Sequence, residues 1–415
     1  MRWASAVSQK SSLEETVQEC AQSLASALRE LGPPDLAFLF ISPHFSPAFP
    51  RAGELVKQTL ETQVLVGCSA GGVIGAGREV ERSPALSLTC AWLPGVEVRP
   101  FYVTDDALPD LDARPKAWHD LVGVSPEQNP PFVILADPFS IRVDNFIAAL
   151  DYAFPKSVKV GGLASGAHQP GINALYLNKE VYREGLVGVA LLGNLAVDIV
   201  VAQGCRPIGK PMTVTHCQGQ LLLALDSQPP LHVLQEIYET LPPRDQALVQ
   251  TSLFLGIVMD PSKESFQRGD FLIRNIIEAE MEEGTLAIGT NLRPGQIVQF
   301  HLRDAETSAE DLRQMLARYA GEKGAGSAAG ALLFSCLGRG THLYGRSNHD
   351  TELFKKEVSD IPVGGFFCNG EIGPVAGNTY LHGYTSCFGI FRPRLTTAPP
   401  GGEGIFGSQS PLDKP

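Results

Sequence analysis

Long unbroken apolar runs are missing from this 415-residue chain, and so is any stripe of basic residues. No run approaches the roughly 18 apolar residues a membrane span needs. The most apolar stretch, Leu186 to Ala202, is interrupted by Gly193, Asn194 and Asp198. A formal charge of −12 leaves nothing to neutralise phosphates, so no nucleic-acid partner is expected. The eight cysteines form no Cys-x-x-Cys pair and the nine histidines no His-x-x-x-His, so the usual metal-ligand spacings are absent. No Walker A string occurs and no Gly-x-Gly-x-x-Gly fingerprint follows an expected strand, so no cofactor is expected. The N-terminus turns acidic at Glu14 without an apolar core, unlike a secretory signal. Together these absences describe a chain expected in the cytoplasm with reduced thiols and no membrane contact.

What is present is a large potential core. Hydrophobic residues make up 44% of the chain and charged residues 19%, and glycine and proline gather at the ends of apolar runs, where turns belong. One pattern recurs three times. An apolar strand (Leu36–Ile41, Phe132–Ala136, Ala331–Phe334) leads through a helix-compatible stretch to a second strand with a glycine turn. The second strands are Val64 to Gly72, Val158 to Gly166 and Ile361 to Gly370, at near-equal offsets from the first. Apolar residues at i, i+3 and i+4 in Ala52–Leu60, Asn145–Ala153 and Thr351–Val358 predict helices between the strands, the last capped by Asp350. Each copy therefore reads as a parallel βαβ crossover.

Period-two stretches come after each glycine turn, and Gly185–Gly193 with Leu195–Ala202 around Gly193-Asn194 reads as a hairpin. Further helices are predicted at Ser12–Leu31, Leu231–Leu241 and Ser308–Tyr319, the last with Ser308 as N-cap and Asp311 at N3. Gly321–Gly330 reads as a flexible connection. The fold class is α/β: mixed sheets built from repeated βαβ-plus-hairpin modules in two pseudo-equivalent halves, residues 1–225 and 226–393, with 394–415 a disordered tail.

The string Val66-Gly-Cys-Ser-Ala-Gly-Gly-Val-Ile-Gly75, with Val160–Ser165 and Gly204–Gly209, stands in the first half. The second half carries Asp270–Asn275, Gln299–Asp304, Asp311-Leu312, Gly365–Pro374 and Leu381–Tyr384. In these ordered blocks the chain resembles FIST-domain proteins, with a FIST N and a FIST C half. That resemblance implies a sensory module for small ligands, amino acids or similar metabolites, joined in bacteria to signalling domains and in a eukaryotic relative to an F-box for ubiquitin ligation. The stretch ahead of Leu36 is too short for an F-box, so the expectation is a separate signalling or ubiquitin-ligase-type partner, or no signalling role at all.

Gly67-Cys68-Ser69-Ala-Gly71 also fits the Gly-x-Ser-x-Gly nucleophile elbow, but an elbow needs a helix directly after the serine. The stretch from Gly71 to Gly77 is too glycine-rich for one, and the other two copies carry no serine at that place. Bare N–H groups in the glycine turns can hold a carboxylate, which makes Cys68, Ser69, Gly71, Gly72, Gly162 and Ser165 candidate ligand contacts; tight corners are the plainer reading. Cys336 and Arg339 lie after a parallel strand at its carboxyl end, the edge where α/β sheets bind ligands. Arg339 could clamp a carboxylate through two bonds, or pair with Glu371 or Asp304. Asn369 and Glu371 lie after the partner strand, and a ligand amine would suit Glu371. Arg303-Asp304 reads equally as a helix-entry ion pair. The reading is a non-catalytic sensor of a small polar metabolite held between the halves, with a Ser69 hydrolase and a ligand-free adaptor as alternatives.

Overall fold

A computed structural model describes residues 1–323 and 326–394. The expected tail, apart from Arg394, and residues 324–325 of the expected connection lie outside them.

The first module runs β1 (Arg2–Ser8), α1 (Leu13–Leu31), β2 (Leu36–Ile41), α2 (Phe49–Leu60), β3 (Val64–Ser69), β4 (Gly72–Gly75), β5 (Arg78–Glu81) and β6 (Leu86–Trp92). The second repeats it with β7 (Val96–Val103), α3 (Pro115–Val122), β8 (Phe132–Ala136), α4 (Val143–Ala153), β9 (Lys159–Leu163), β10 (Leu175–Leu177), β11 (Glu180–Tyr182) and β12 (Leu186–Gly193). The third opens with β13 (Ala196–Ala202) and is then interrupted by an insertion: β14 (Cys205–Gln218), β15 (Leu221–Leu225), α5 (Pro230–Thr240), α6 (Pro243–Val249), β16 (Leu253–Val258), β17 (Phe271–Glu280), β18 (Thr285–Ile288) and β19 (Ile297–Arg303). It resumes with α7 (Ala305–Lys323), β20 (Gly330–Cys336), α8 (Gly340–Tyr344), α9 (His349–Glu357), β21 (Val363–Cys368), β22 (Glu371–Val375), β23 (Asn378–His382) and β24 (Ser386–Arg392).

The α/β class with mixed sheets is what the structure has. Three six-stranded sheets are ordered β1-β6-β2-β3-β10-β11, β23-β22-β9-β8-β12-β7 and β13-β24-β20-β21-β4-β5, and the insertion closes into a barrel. The pairs β2–β3, β8–β9 and β20–β21 are parallel, as the crossovers require. Each module contributes its short hairpin to a neighbour's sheet. The first module's β4–β5 extends β21, the second's β10–β11 extends β3, and the third's β22–β23 extends β9.

The inner faces of the three sheets share one core, in which Phe38, Val66, Val133, Val189, Phe334 and Phe366 meet. Helices cover the outer faces. The recurrent Val-Gly has a steric cause. A Cβ at Gly67, Gly161 or Gly365 would lie 2.1, 1.8 or 1.9 Å from a carbonyl oxygen of the adjoining parallel strand.

Four local expectations change. The stretches around Gly193-Asn194 do not pair with each other: β12 pairs with β7 and β8, and β13 with β24 in a different sheet. Ser308 lies inside α7, donating to the Gly204 carbonyl (2.8 Å), while Asp304 accepts the Thr307 N–H (2.8 Å) that an N-cap would take. Asp350 lies inside α9 with its carboxylate turned inward to Arg339 rather than capping. Finally, α7 continues through Gly321 to Lys323, into the expected connection.

Candidate functional site

The three glycine corners do converge, but on one another. Cys68 and Ser69 are wholly buried at the end of β3. The Ser69 hydroxyl donates to Asn173 Oδ1 (3.1 Å) and accepts the Ala174 N–H (3.0 Å), and Asn173 donates to Asp137 (2.9 Å). None of these partners of the hydroxyl can take its proton, and β4 rather than a helix comes next, so the nucleophile elbow is not formed. The Gly71 N–H donates to Ser165 Oγ (2.9 Å), which donates to the Phe367 carbonyl. The Leu163 N–H reaches the Gly370 carbonyl (2.8 Å), and the Asn369 N–H reaches that of Leu163 (3.1 Å). A Cβ on Gly162 would lie 2.4 Å from Cys368 Sγ, and one on Gly72 2.7 Å from the Phe367 ring. These N–H groups are consumed in a seam that holds the modules together, so the expected open, anion-holding corners are corrected to an interior joint. Asn369 faces solvent beside that seam.

Arg339, Cys336 and Glu371 do meet at the carboxyl end of β20, in altered roles. Arg339 is fully buried. Its Nε and Nη2 reach Asp350 at 2.8 and 3.2 Å, and Nη2 also donates to the Tyr344 hydroxyl (2.6 Å). The fork expected to clamp a ligand is filled by the module's own carboxylate, and only Nη1 lacks a partner. Burial alone would raise the Asp350 carboxyl, but Arg339 and His349 outweigh it and hold it well below the usual range.

Glu371 accepts the Thr385 N–H (3.1 Å) and hydroxyl (2.8 Å) on Oε2, and its Oε1 has no partner. Burial pushes its carboxyl up to about 8 against those bonds. At neutral pH it is mostly a neutral acid, suited to donating a bond rather than to balancing a ligand amine. Cys336 is held as a thiol, pushed up to about 12 by burial. All eight cysteines are free.

Among the described residues at this edge, a guanidinium with a more open fork is Arg303, the last residue of β19. It is 6% exposed, its Nε and Nη2 have no hydrogen-bond partner, and it packs 5.0 Å from the Tyr384 ring. Asp304 does not serve it. That carboxylate faces Arg206 (3.6 Å) and Arg244 (3.7 Å). Asp304 lies just past the end of β19, where strand alternation no longer fixes its direction, so no local signal in the sequence separated Arg303 from its acidic neighbour.

Arg303 lines a cavity of about 560 Å³ between the barrel and the third module, with Gln250, Thr251, Asn275, His342 and Tyr384. Its size is that of small-molecule sites. It lies beyond the end of β20, as the rule for α/β sheets expects, with barrel residues forming the opposite wall. Tyr384 stands at φ 67° and its hydroxyl donates to Asn275. A bulky residue held in that region is the kind of strain found at ligand clamps.

Two family models match the chain: the FIST N domain over residues 35–228 and the FIST C domain over 230–374. The chain belongs to the FIST family. An uncharacterized protein of Mycobacterium tuberculosis (strain H37Rv) is 36% identical over 376 residues, covering 89% of this chain and 95% of that one. An F-box/LRR-repeat protein of Arabidopsis thaliana is 25% identical over 132 residues, 28% of this FIST chain and 25% of the plant protein. Among solved structures, a cyanuric acid hydrolase from A. caulinodans covers 94% of this chain and 99% of its own at 10% identity, with a TM-score of 0.34. At that similarity it carries no argument about this chain. None of the helices among the described residues is long and apolar enough to cross a membrane.

Proposed function

We propose that this FIST protein is a non-catalytic sensor that takes a small carboxylate-bearing, amino-acid-like metabolite into the cleft beside Arg303 and signals its occupancy to a separate partner. One observation carries the reading: a buried guanidinium with two unpartnered N–H groups lines a roomy polar cleft. Leaving a buried charge uncompensated costs several kcal/mol, and a carboxylate returns the missing charge-assisted bonds. Asn275 and Tyr384, which line the cleft with Arg303, would orient the ligand.

A thermal-shift panel of amino acids, organic acids and nucleotides tests this. One carboxylate class should raise the melting temperature saturably, equivalent to about 2.7 kcal/mol at a hundred times Kd. Arg303→Ala should abolish the rise and Arg303→Lys weaken it. No shift across the panel would sink the reading and favour the ligand-free adaptor.

A further inference from the structure

The far end of β17 carries a second feature, unconnected with the anion cleft. Residues 277–283 read Ile-Glu-Ala-Glu-Met-Glu-Glu, and none of these four glutamates forms an ion pair among the described residues. Register places Glu278 opposite Ala287, Glu280 opposite Thr285, and Ala287 opposite Leu221. Those residues, with Glu283, line a groove of about 240 Å³ on the outside of the barrel. Its floor holds a polar atom with nothing to bond: Thr285 is 4% exposed and its hydroxyl has no partner. On the same hairpin Ile277 is 61% and Met281 78% exposed, both among the most exposed large apolar side chains of the described residues.

A groove of three carboxylates without a counter-ion, one of them taking the Glu282 N–H (3.3 Å), around an idle hydroxyl accepts a cationic group with N–H donors. Flanking aliphatic side chains add a surface on which the stem of a long basic residue can lie. Like charges crowded on one hairpin, with no internal counter-ion, are relieved when an external cation arrives. We propose that this barrel hairpin is a docking surface for a partner protein, which inserts a lysine or arginine of a basic, aliphatic-containing segment between Glu278, Glu280 and Glu283.

The test uses the full chain and two synthetic probes, a peptide alternating lysine with leucine and the same peptide with every lysine acetylated, which removes the charge. Fluorescence anisotropy should show binding of the first and none of the second. A Glu278→Gln/Glu280→Gln/Glu283→Gln variant should lose about tenfold in affinity or more, with melting temperature as the check that it is folded. Thr285→Val should weaken binding as well. Because the whole chain is acidic, an Asp110→Asn/Asp112→Asn variant, altered on an exposed loop elsewhere, serves as the control and should bind normally. Equal loss in both charge variants, absence of peptide binding, or displacement of the peptide by free lysine at matching concentration would each overturn the proposal.

Discussion

Glu371, on β22, and Glu79, on the first module's β5 where it meets Thr351 of α9, are wholly or almost wholly buried carboxyls, and burial pushes each up to about 8. Glu371 would release its proton at about 4.5 once unfolded. Between these values the folded chain holds the proton and the unfolded chain does not, so stability falls as pH rises. The contribution is complete below the unfolded value and gone once pH has passed about 8. Glu371→Gln should therefore flatten the stability profile across that window. Its advantage over the native chain should grow to a few kcal/mol on the alkaline side, read by urea denaturation at several pH values. Glu79 has the same sign, so the difference between the two proteins isolates Glu371. At this scale the sequence indicated a strand end but not the free cation. The carboxyl-edge rule pointed to Arg339, yet its fork is claimed by Asp350 on α9, and which guanidinium stays open is decided by a tertiary contact that no local pattern states.

Among the elements, the recurrent glycine of the second parallel strands makes a sharp prediction. Gly365→Ala would set a methyl 1.9 Å from the Leu333 carbonyl oxygen and should cost more than about 3 kcal/mol or prevent folding. Gly377→Ala, at φ 89° with nothing within 4 Å, should cost only about 1 kcal/mol. Paired thermal melts compare them. This is also where the sequence was most informative. Continuous apolar runs and Val-Gly strings located strands at Leu36, Phe132 and Val363 because those segments are buried on both faces. Partners were harder to read. Alternation tells which face of β12 or β13 is apolar, not which strand lies alongside, so the stretches flanking Gly193-Asn194 read as one hairpin although they serve different sheets. β1 escaped altogether, its Trp3 and Ala6 being spaced among polar residues.

For the molecule as a whole, the shared core and the cyclic sharing of hairpins predict one unfolding transition for the three sheets. Trp3 and Trp92 report on the first module and Trp118 on the second, so tryptophan fluorescence and far-ultraviolet circular dichroism should give coincident denaturation curves. Separated midpoints would show that a module melts alone. The repeat was legible in the sequence because its spacing is regular. The ring was not, because β4, β10 and β22 find partners far away along the chain.

A ribbon that leaves its own module to complete another does not need that other module to be in the same molecule. When many chains refold together, β4–β5 of one can complete the third sheet of its neighbour with the same hydrogen bonds, and entanglement then competes with closure. Refolding yield should drop with protein concentration, and the lost fraction should elute as compact, native-like dimers and longer swapped assemblies rather than as amorphous precipitate.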